Sequence, residues 1–419
     1  MEDGGGRPAW VASAGMRRLG PALALGMLAG SVLVPSFPAQ AAVTTGVTAF
    51  PIPTSGANAS HVGIGPDGNA WFAERAQDKL GRITAAGTVT EFPVATDSFP
   101  DYPTAGPDGS LWFTENNANQ IGRLAASGTI TEFPVLTPGA SPSGLTRGPD
   151  GNLWFTEVDA SKVGRITPTG TVTEFDTLTP GARPTGIARG ADGNLWVTER
   201  DANKIARVTP AGIFTEFTVP TATSDLDGIS RGPDGNMWFA EAQGNKIGRI
   251  KPAGTITEFP IPTPSSGAAH LAVGPDGNLW FPEDGSGKLG RITRTGAIKE
   301  FPLFSAGNGV HGIAADGRGN LWVTERDSDK IARVRVPVLL HVTKSGHGAG
   351  KVTSTPAGIA CGASCTTTFR GGTMITLTAR AKTGSTFVRW AGACTGTRRT
   401  CQVLVNAAKT ARATFARKS

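Results

Sequence analysis

The sequence predicts an all-β fold: a seven-bladed β-propeller of four-stranded blades, followed by a small C-terminal β domain with two disulfides. Three observations carry this. First, a ten-residue phrase, clearest as Gly148-Pro-Asp-Gly-Asn-Leu-Trp-Phe-Thr-Glu157, recurs around Trp71, Trp112, Trp154, Trp196, Trp238, Trp280 and Trp322, at one step of 41 residues and then steps of 42. A constant period of roughly 40–45 residues marks propeller blades. Second, each repeat divides into four strand-like pieces. Third, 57 Gly and 30 Pro among 419 residues supply the tight turns that many short strands need.

In chain order, the first segment is not part of the fold. Arg17 and Arg18 precede a mostly apolar run from Leu19 to Val34, and Ala39-Gln40-Ala41 follows as a small-residue cleavage site. Residues 1–42 therefore read as a secretory signal peptide, with Met16 as a candidate start and an uncleaved anchor as the alternative, and the chain is expected to be secreted or held at the cell surface. The apolar run is shorter than the roughly 20 residues of a bilayer span, so no membrane span is expected after cleavage.

The propeller is expected over residues 43–336. In the repeat at 184–220, Thr185–Arg189 is a short alternating strand and Asp192-Gly193 a hairpin turn. Leu195–Glu199, Ile205–Thr209 and Phe214–Val219 supply the other three strands. Four antiparallel strands make one blade, and neighbouring blades bury both faces. The last repeat stops after Ile331-Ala-Arg-Val-Arg335 and lacks its fourth strand. The missing piece stands at the other end, where Val47–Pro53 resembles Ile256–Pro262. Residues 47–53 are therefore expected to complete the seventh blade as a clasp, removing open sheet edges. A closed ring has no edge that requires a partner, so a monomer is expected.

Residues 337–419 change character, with Thr- and Gly-rich strands and all four cysteines: Cys361, Cys365, Cys394 and Cys401. In an exported chain these read as two disulfides, preferably 361–365 and 394–401, although four cysteines allow three pairings. A four-thiolate zinc site is the alternative, with poor spacing for it. Of the 40 Lys and Arg, twelve lie here against no Asp or Glu, leaving 28 against 33 acidic residues in the rest. A basic tail on a mildly acidic body points to a polyanion, which for an exported protein means a cell-wall polymer or anionic lipid rather than nucleic acid.

The repeats serve as their own alignment. The Glu closing each second strand, from Glu74 to Glu325, recurs seven times and is expected to bind turn amides or nearby Lys and Arg. The matching arginines and the turn aspartates read as structural too. The residue opening the innermost strand instead varies: His61, Tyr102, Ser143, Thr185, Asp227, His270 and His311. Only three histidines occur between residues 43 and 336, and all fall here. Two matches to the first by chance would have a probability of roughly (1/42)² in a repeat of this period. Blades six, seven and one adjoin in a closed ring, so the three imidazoles are expected to form an arc at the channel mouth, with Tyr102 and Asp227 as further candidates. Histidine there can serve as base or ligand.

The Gly-Pro-Asp-Gly-Asn-Leu-Trp-Phe-Thr-Glu phrase, the Lys-Ile-Gly-Arg-Ile third strand and the Ile-Thr-Glu-Phe-Pro fourth strand resemble the virginiamycin B lyases, or streptogramin lyases, over roughly residues 47–335. That resemblance implies a seven-bladed propeller that opens cyclic streptogramin B depsipeptides by C–O elimination, with Mg²⁺. It implies His311 as general base, His270 as the residue that orients substrate or donates to the leaving group, and Glu325 as a holder of Mg²⁺. One position departs from the family. The acidic residue expected two places before His311 is Gly309, with Asn308 beside it as a neutral oxygen donor. The tail resembles the bacterial repeat domain akin to internalin B-repeats, which implies a surface module without catalysis. Two other functions stand beside the lyase: an exported, non-catalytic propeller binding a peptide, glycan or wall component, and a different metal-assisted enzyme such as a lactonase.

Overall fold

The computed structural model describes residues 46–305, 307–362 and 365–418. The signal-peptide segment lies outside the described residues. From Gly46 to Arg335 the chain forms seven four-stranded antiparallel sheets. Six of them run through four consecutive strands, for example Pro142–Arg147, Leu153–Glu157, Lys162–Ile166 and Val172–Asp176. The innermost strands touch one another in sequence and close back from Val310–Ala315 to Ala59–Ile64, as a propeller requires.

The seventh sheet is assembled from both ends of this region. Its inner strands are Val310–Ala315, Asn320–Glu325 and Lys330–Arg335, and its outermost is Gly46–Pro51. The register pairs Val47 with Val334 and Phe50 with Ile331. The expected clasp is present.

The repeated phrase makes the wedge between sheets. Trp112, Trp154, Trp238 and Trp280 are fully buried. The indole Nε1 of Trp154 donates to Asp150 Oδ1 at 3.1 Å, Phe175 stacks on its ring at 5.4 Å, and Arg165 covers it at 5.6 Å. Each large ring thus has its polar handle satisfied at the surface end, as a buried Trp needs. Gly170, at φ +95°, lies under Phe133 of the preceding sheet; a Cβ there would come within 2.2 Å of that ring. The arginines and turn aspartates hold the roles expected of them, and Arg207 Nη1 also donates to Pro252 O of the next sheet at 3.0 Å.

The closing glutamates do not. Glu74, Glu115, Glu157 and Glu241 are buried, and neither carboxylate oxygen of any of them is hydrogen-bonded. Burial pushes Glu74, Glu157 and Glu241 up to about 8 and Glu115 up to about 7. The reason lies with their expected partners. Lys162 is paired with Glu157 in the ladder, yet its Nζ turns outward to Glu174 Oε2 at 3.1 Å.

The C-terminal region forms two four-stranded sheets, one built around Pro337–Ser345 and Lys409–Arg417, the other around Gly350–Thr355 and Thr373–Ala381. Disulfides join Cys361 to Cys365 and Cys394 to Cys401, so the local pairing holds and the zinc alternative falls. This region's core runs without a break into Val310, Leu321 and Val334 of the seventh sheet. Its backbone also meets the sheet turns: Gly371 N donates to Val336 O at 2.9 Å and Ala408 N to Pro275 O at 3.2 Å.

Candidate active site and metal centre

Each innermost strand opens with an irregularity. In the first sheet Ala59 pairs with Glu74 but Val62 with Phe72, so one extra residue is absorbed. The same break recurs in the second, third, fourth, fifth and seventh sheets. A bulge of this kind bends the strand and re-aims side chains. Here it turns them toward the axis.

The ladders correct one sequence expectation. Counted from the partner of each Trp, the seven varying residues do not share one position. Ser143, Thr185, Asp227 and His311 stand three residues before that partner, in register with Ser60, Asp101 and Ala269. His61, Tyr102 and His270 stand two before it, in register with Gly144, Gly186, Gly228 and Gly312. At that second position glycine is the default because the next sheet's bulge crowds it. A Cβ on Gly186 would stand 2.6 Å from Asp227 O, and one on Gly312 2.5 Å from Ser60 O. The first, second and sixth sheets escape the rule and carry rings.

Those rings gather. His61, His270 and His311 each bring one ring nitrogen to within 4.8 Å of the others. Ring centroids are 4.2 Å apart for His61 and His270, 5.0 Å for His270 and His311 and 5.2 Å for His61 and His311. Tyr102 stacks on His61 at 3.7 Å. The expected arc is thus present. His61 Nε2 meets His270 Nε2 directly. His61 Nδ1 meets Asp101 Oδ1 at 2.5 Å, and Ser60 Oγ donates to the same oxygen at 2.7 Å.

Asp101 was missed in the sequence. It is 3% exposed and carries a full charge partner set. Burial works to raise its carboxyl, but the His61 imidazole and the Arg75 guanidinium outweigh burial and hold it far below the usual carboxylate range. Burial lowers His61 despite Asp101, and burial with His61 beside it drives His270 well down. Burial opposes ionisation of Asp227, but His270, His311 and Arg200 win and lower it.

His311 faces a second acidic group. Its Nδ1 is 3.8 Å from Asp284 Oδ2, which accepts from Arg326 Nη2 at 2.8 Å. Glu325, 3% exposed, accepts from Asn308 Nδ2 at 2.8 Å and from Ser328 Oγ at 3.2 Å through Oε2. Asn308 therefore presents its amide N–H to Glu325, while its Oδ1 is the oxygen the sequence offered to a metal. Gly309 adopts φ +62°, and the place its Cβ would take is 2.5 Å from Asp327 Oδ2. Asp327, in the short 3-10 turn Arg326–Ser328, thus occupies the place a side chain at position 309 would take.

A further asymmetry went unread. Thr156 Oγ1 donates to Thr185 O of the next sheet, Thr198 Oγ1 to Asp227 O and Thr324 Oγ1 to Ser60 O, strapping those bulges. The same position is Ala73, Ala240 and Pro282 in the sheets that precede Tyr102, His270 and His311, where no such strap can form. Comparing the fourth letter of Leu-Trp-Phe-Thr-Glu across repeats would have found it.

A cavity of about 180 Å³ lies on the axis, lined by His61, Tyr102, His270, Leu145, Ile229 and Ile313. A larger cleft of about 590 Å³ opens between the first two sheets over Trp71, Arg82 and Phe92, away from the imidazoles. Gly128, where a Cβ would meet nothing within 4 Å, marks the missing interdigitation there.

A family model described as the virginiamycin B lyase family matches residues 39–184 and 148–370, and one described as a divergent InlB B-repeat domain matches residues 340–419. The chain is similar to the crystal structure of selenomethionine-substituted virginiamycin B lyase from Staphylococcus aureus, with 36% identity and a TM-score of 0.67 over 70% of this chain and 99% of that one. A catalytically inactive histidine-to-alanine variant of the Staphylococcus aureus enzyme with quinupristin gives 35%, 0.67, 70% and 99%. A streptogramin B lyase structure gives 34%, 0.66, 69% and 97%. No curated protein sequence matches the chain.

Proposed function

The chain belongs to the virginiamycin B lyase family, and from that premise we propose that it is a carbon–oxygen lyase that opens cyclic streptogramin B-type depsipeptides by elimination. The observation that carries this reading is the meeting of His270 and His311 at the bulged ends of adjacent innermost strands.

Elimination across an ester needs a base for the proton α to a carbonyl, and a counter-charge for the enolate that develops. His311 is the base. Asp284, held by Arg326, stands behind its Nδ1, where it offsets the charge His311 gains on taking a proton. His270, buried and held toward the neutral form by burial and by His61, orients the ester and presents a ring N–H to the departing carboxylate. Glu325, with Asp327 standing where a side chain at position 309 would lie, would hold the Mg²⁺ of such a reaction, since that ion takes carboxylate oxygens. When bound there, the ion supplies positive charge to the developing enolate. Asn308 and Ser328 hold the Glu325 carboxylate in place.

The axial cavity supports a second reading, a non-catalytic propeller that binds a peptide or glycan. At about 180 Å³ it is smaller than the roughly 300–1,000 Å³ of ordinary ligand sites, so a cyclic peptide rests on the rim and not inside. The two disulfides fit an oxidising, extracellular setting, and among the described residues no helix is long and apolar enough to cross a membrane. The acid-free basic tail then docks on an anionic wall polymer.

One assay separates the readings. The chain is incubated with quinupristin and Mg²⁺ and ring opening is followed by mass spectrometry and chromatography. Elimination gives a new species of unchanged mass, hydrolysis adds one water, and no conversion overturns the streptogramin lyase reading.

A further inference from the structure

Three imidazoles with no carboxylate among them form a different donor class from the oxygens at Glu325 and Asp327. Imidazole nitrogen selects first-row transition ions, while Mg²⁺ selects oxygen. Around the triad, the supporting groups of such a site are already in place. Asp101, buried at 3% exposure, engages Nδ1 of His61 at 2.5 Å and is itself fixed by Ser60 Oγ at 2.7 Å. That contact holds the proton on Nδ1 and leaves the lone pair of Nε2 facing His270 Nε2. A carboxylate behind a ligating imidazole is the usual outer support of a protein metal ion, fixing tautomer and ring orientation. His311 has the same arrangement more loosely, with Asp284 at 3.8 Å from an Nδ1 that has no hydrogen-bond partner. Tyr102, stacked at 3.7 Å, locks the His61 ring. The axial cavity meets His61 and His270 and leaves a side of the cluster open for water or a ligand.

We propose that His61, His270 and His311 together bind one divalent first-row transition ion, zinc or a close equivalent, with Asp101 as the positioning carboxylate and a fourth position open to the channel. Tetrahedral binding at about 2.0–2.1 Å places the nitrogens about 3.4 Å apart. The triad reaches that spacing by small side-chain rotations, since its nitrogens already lie within 4.8 Å. An occupied triad uses the His311 lone pair that the proposed elimination requires. If the chain is a lyase, the transition ion is therefore its inhibitor and Mg²⁺ is not.

The test is a binding measurement that does not read turnover, so it stands apart from the quinupristin assay. The full chain is stripped with chelator, then titrated with Co²⁺ while the visible absorption of low-symmetry cobalt is followed, and with Zn²⁺ by calorimetry. One ion per chain is expected, not displaced by excess Mg²⁺. His61→Gln should weaken binding at least tenfold, and Asp101→Asn by about 10–100-fold. Glu325→Gln should leave it unchanged. Thermal melting of each stripped variant shows that it is folded. No cobalt absorption with the unsubstituted chain, or equal affinity in folded His61→Gln, overturns the proposal.

Discussion

The two ends of each sheet obey different rules. At the turn end the repeats agree: an indole donates to an aspartate, an arginine covers the ring, and a glycine turn leads away. At the bulged end they diverge: four sheets keep glycine where three carry His61, Tyr102 and His270. Agreement is what packing demands, because each wedge must fit its neighbour. Divergence is tolerated only where side chains face the axis and pack against no copy of themselves. Even the exceptions at the turn end make this point. In the seventh sheet the aspartate that accepts from Trp322 has moved to Asp316, six residues back, where Gly319 meets Gly372 of the C-terminal region.

Five experiments would break or sharpen this contrast. The largest effect is expected from deleting residues 46–53, which strips the outer strand from the seventh sheet; the melting temperature should fall by many degrees, and an unchanged value would refute the clasp. Next, Trp154→Ala at the turn end should cost about 3–5 kcal/mol in chemical denaturation. His311→Ala at the bulged end should do the reverse, lowering turnover of quinupristin by about 10²–10⁴-fold while the melting temperature stays within a few degrees. Equal destabilisation by both would erase the distinction between the ends. Gly228→Ala places a methyl 2.5 Å from His270 Nδ1 and 2.8 Å from Ala269 O. It should cost about 1–3 kcal/mol and move the His270 imidazole resonances, without moving those of His341 in the C-terminal region.

The smallest effect concerns pH. The Glu157 carboxyl is raised from 4.5 to about 8 by burial. Between those values the folded chain keeps a proton that the unfolded chain has released, so stability falls as pH rises across that window. Glu157→Gln should flatten this slope and raise stability near pH 8. An unaltered pH profile in that variant would mean that the folded carboxyl titrates normally.

Much of this was readable in advance. The 42-residue step gave the sheets, the truncated last repeat gave the clasp, and close cysteine spacing gave the disulfides. The arc of imidazoles was readable too, and its register could have been counted: His61 and His270 stand ten residues before their Trp and His311 stands eleven, so His311 occupies a different ladder position. Asp101 escaped notice because its importance comes from a ring in the preceding sheet, and sequence neighbours do not reveal that. The closing glutamates were misread for a related reason: ladder pairing with Lys162 does not dictate where a long, flexible ammonium arm points.

The clasp also sets a schedule. Gly46 pairs with Arg335, so the earliest-made strand of the ring spends most of the chain's synthesis without its partner. Phe50 rests on Gly87 of the first sheet, but its contact with Trp322 waits until that residue emerges. Closure over so long a span is slow compared with the pairing of adjacent strands. Folding of the ring therefore finishes by bringing its first-made strand to its last-made one.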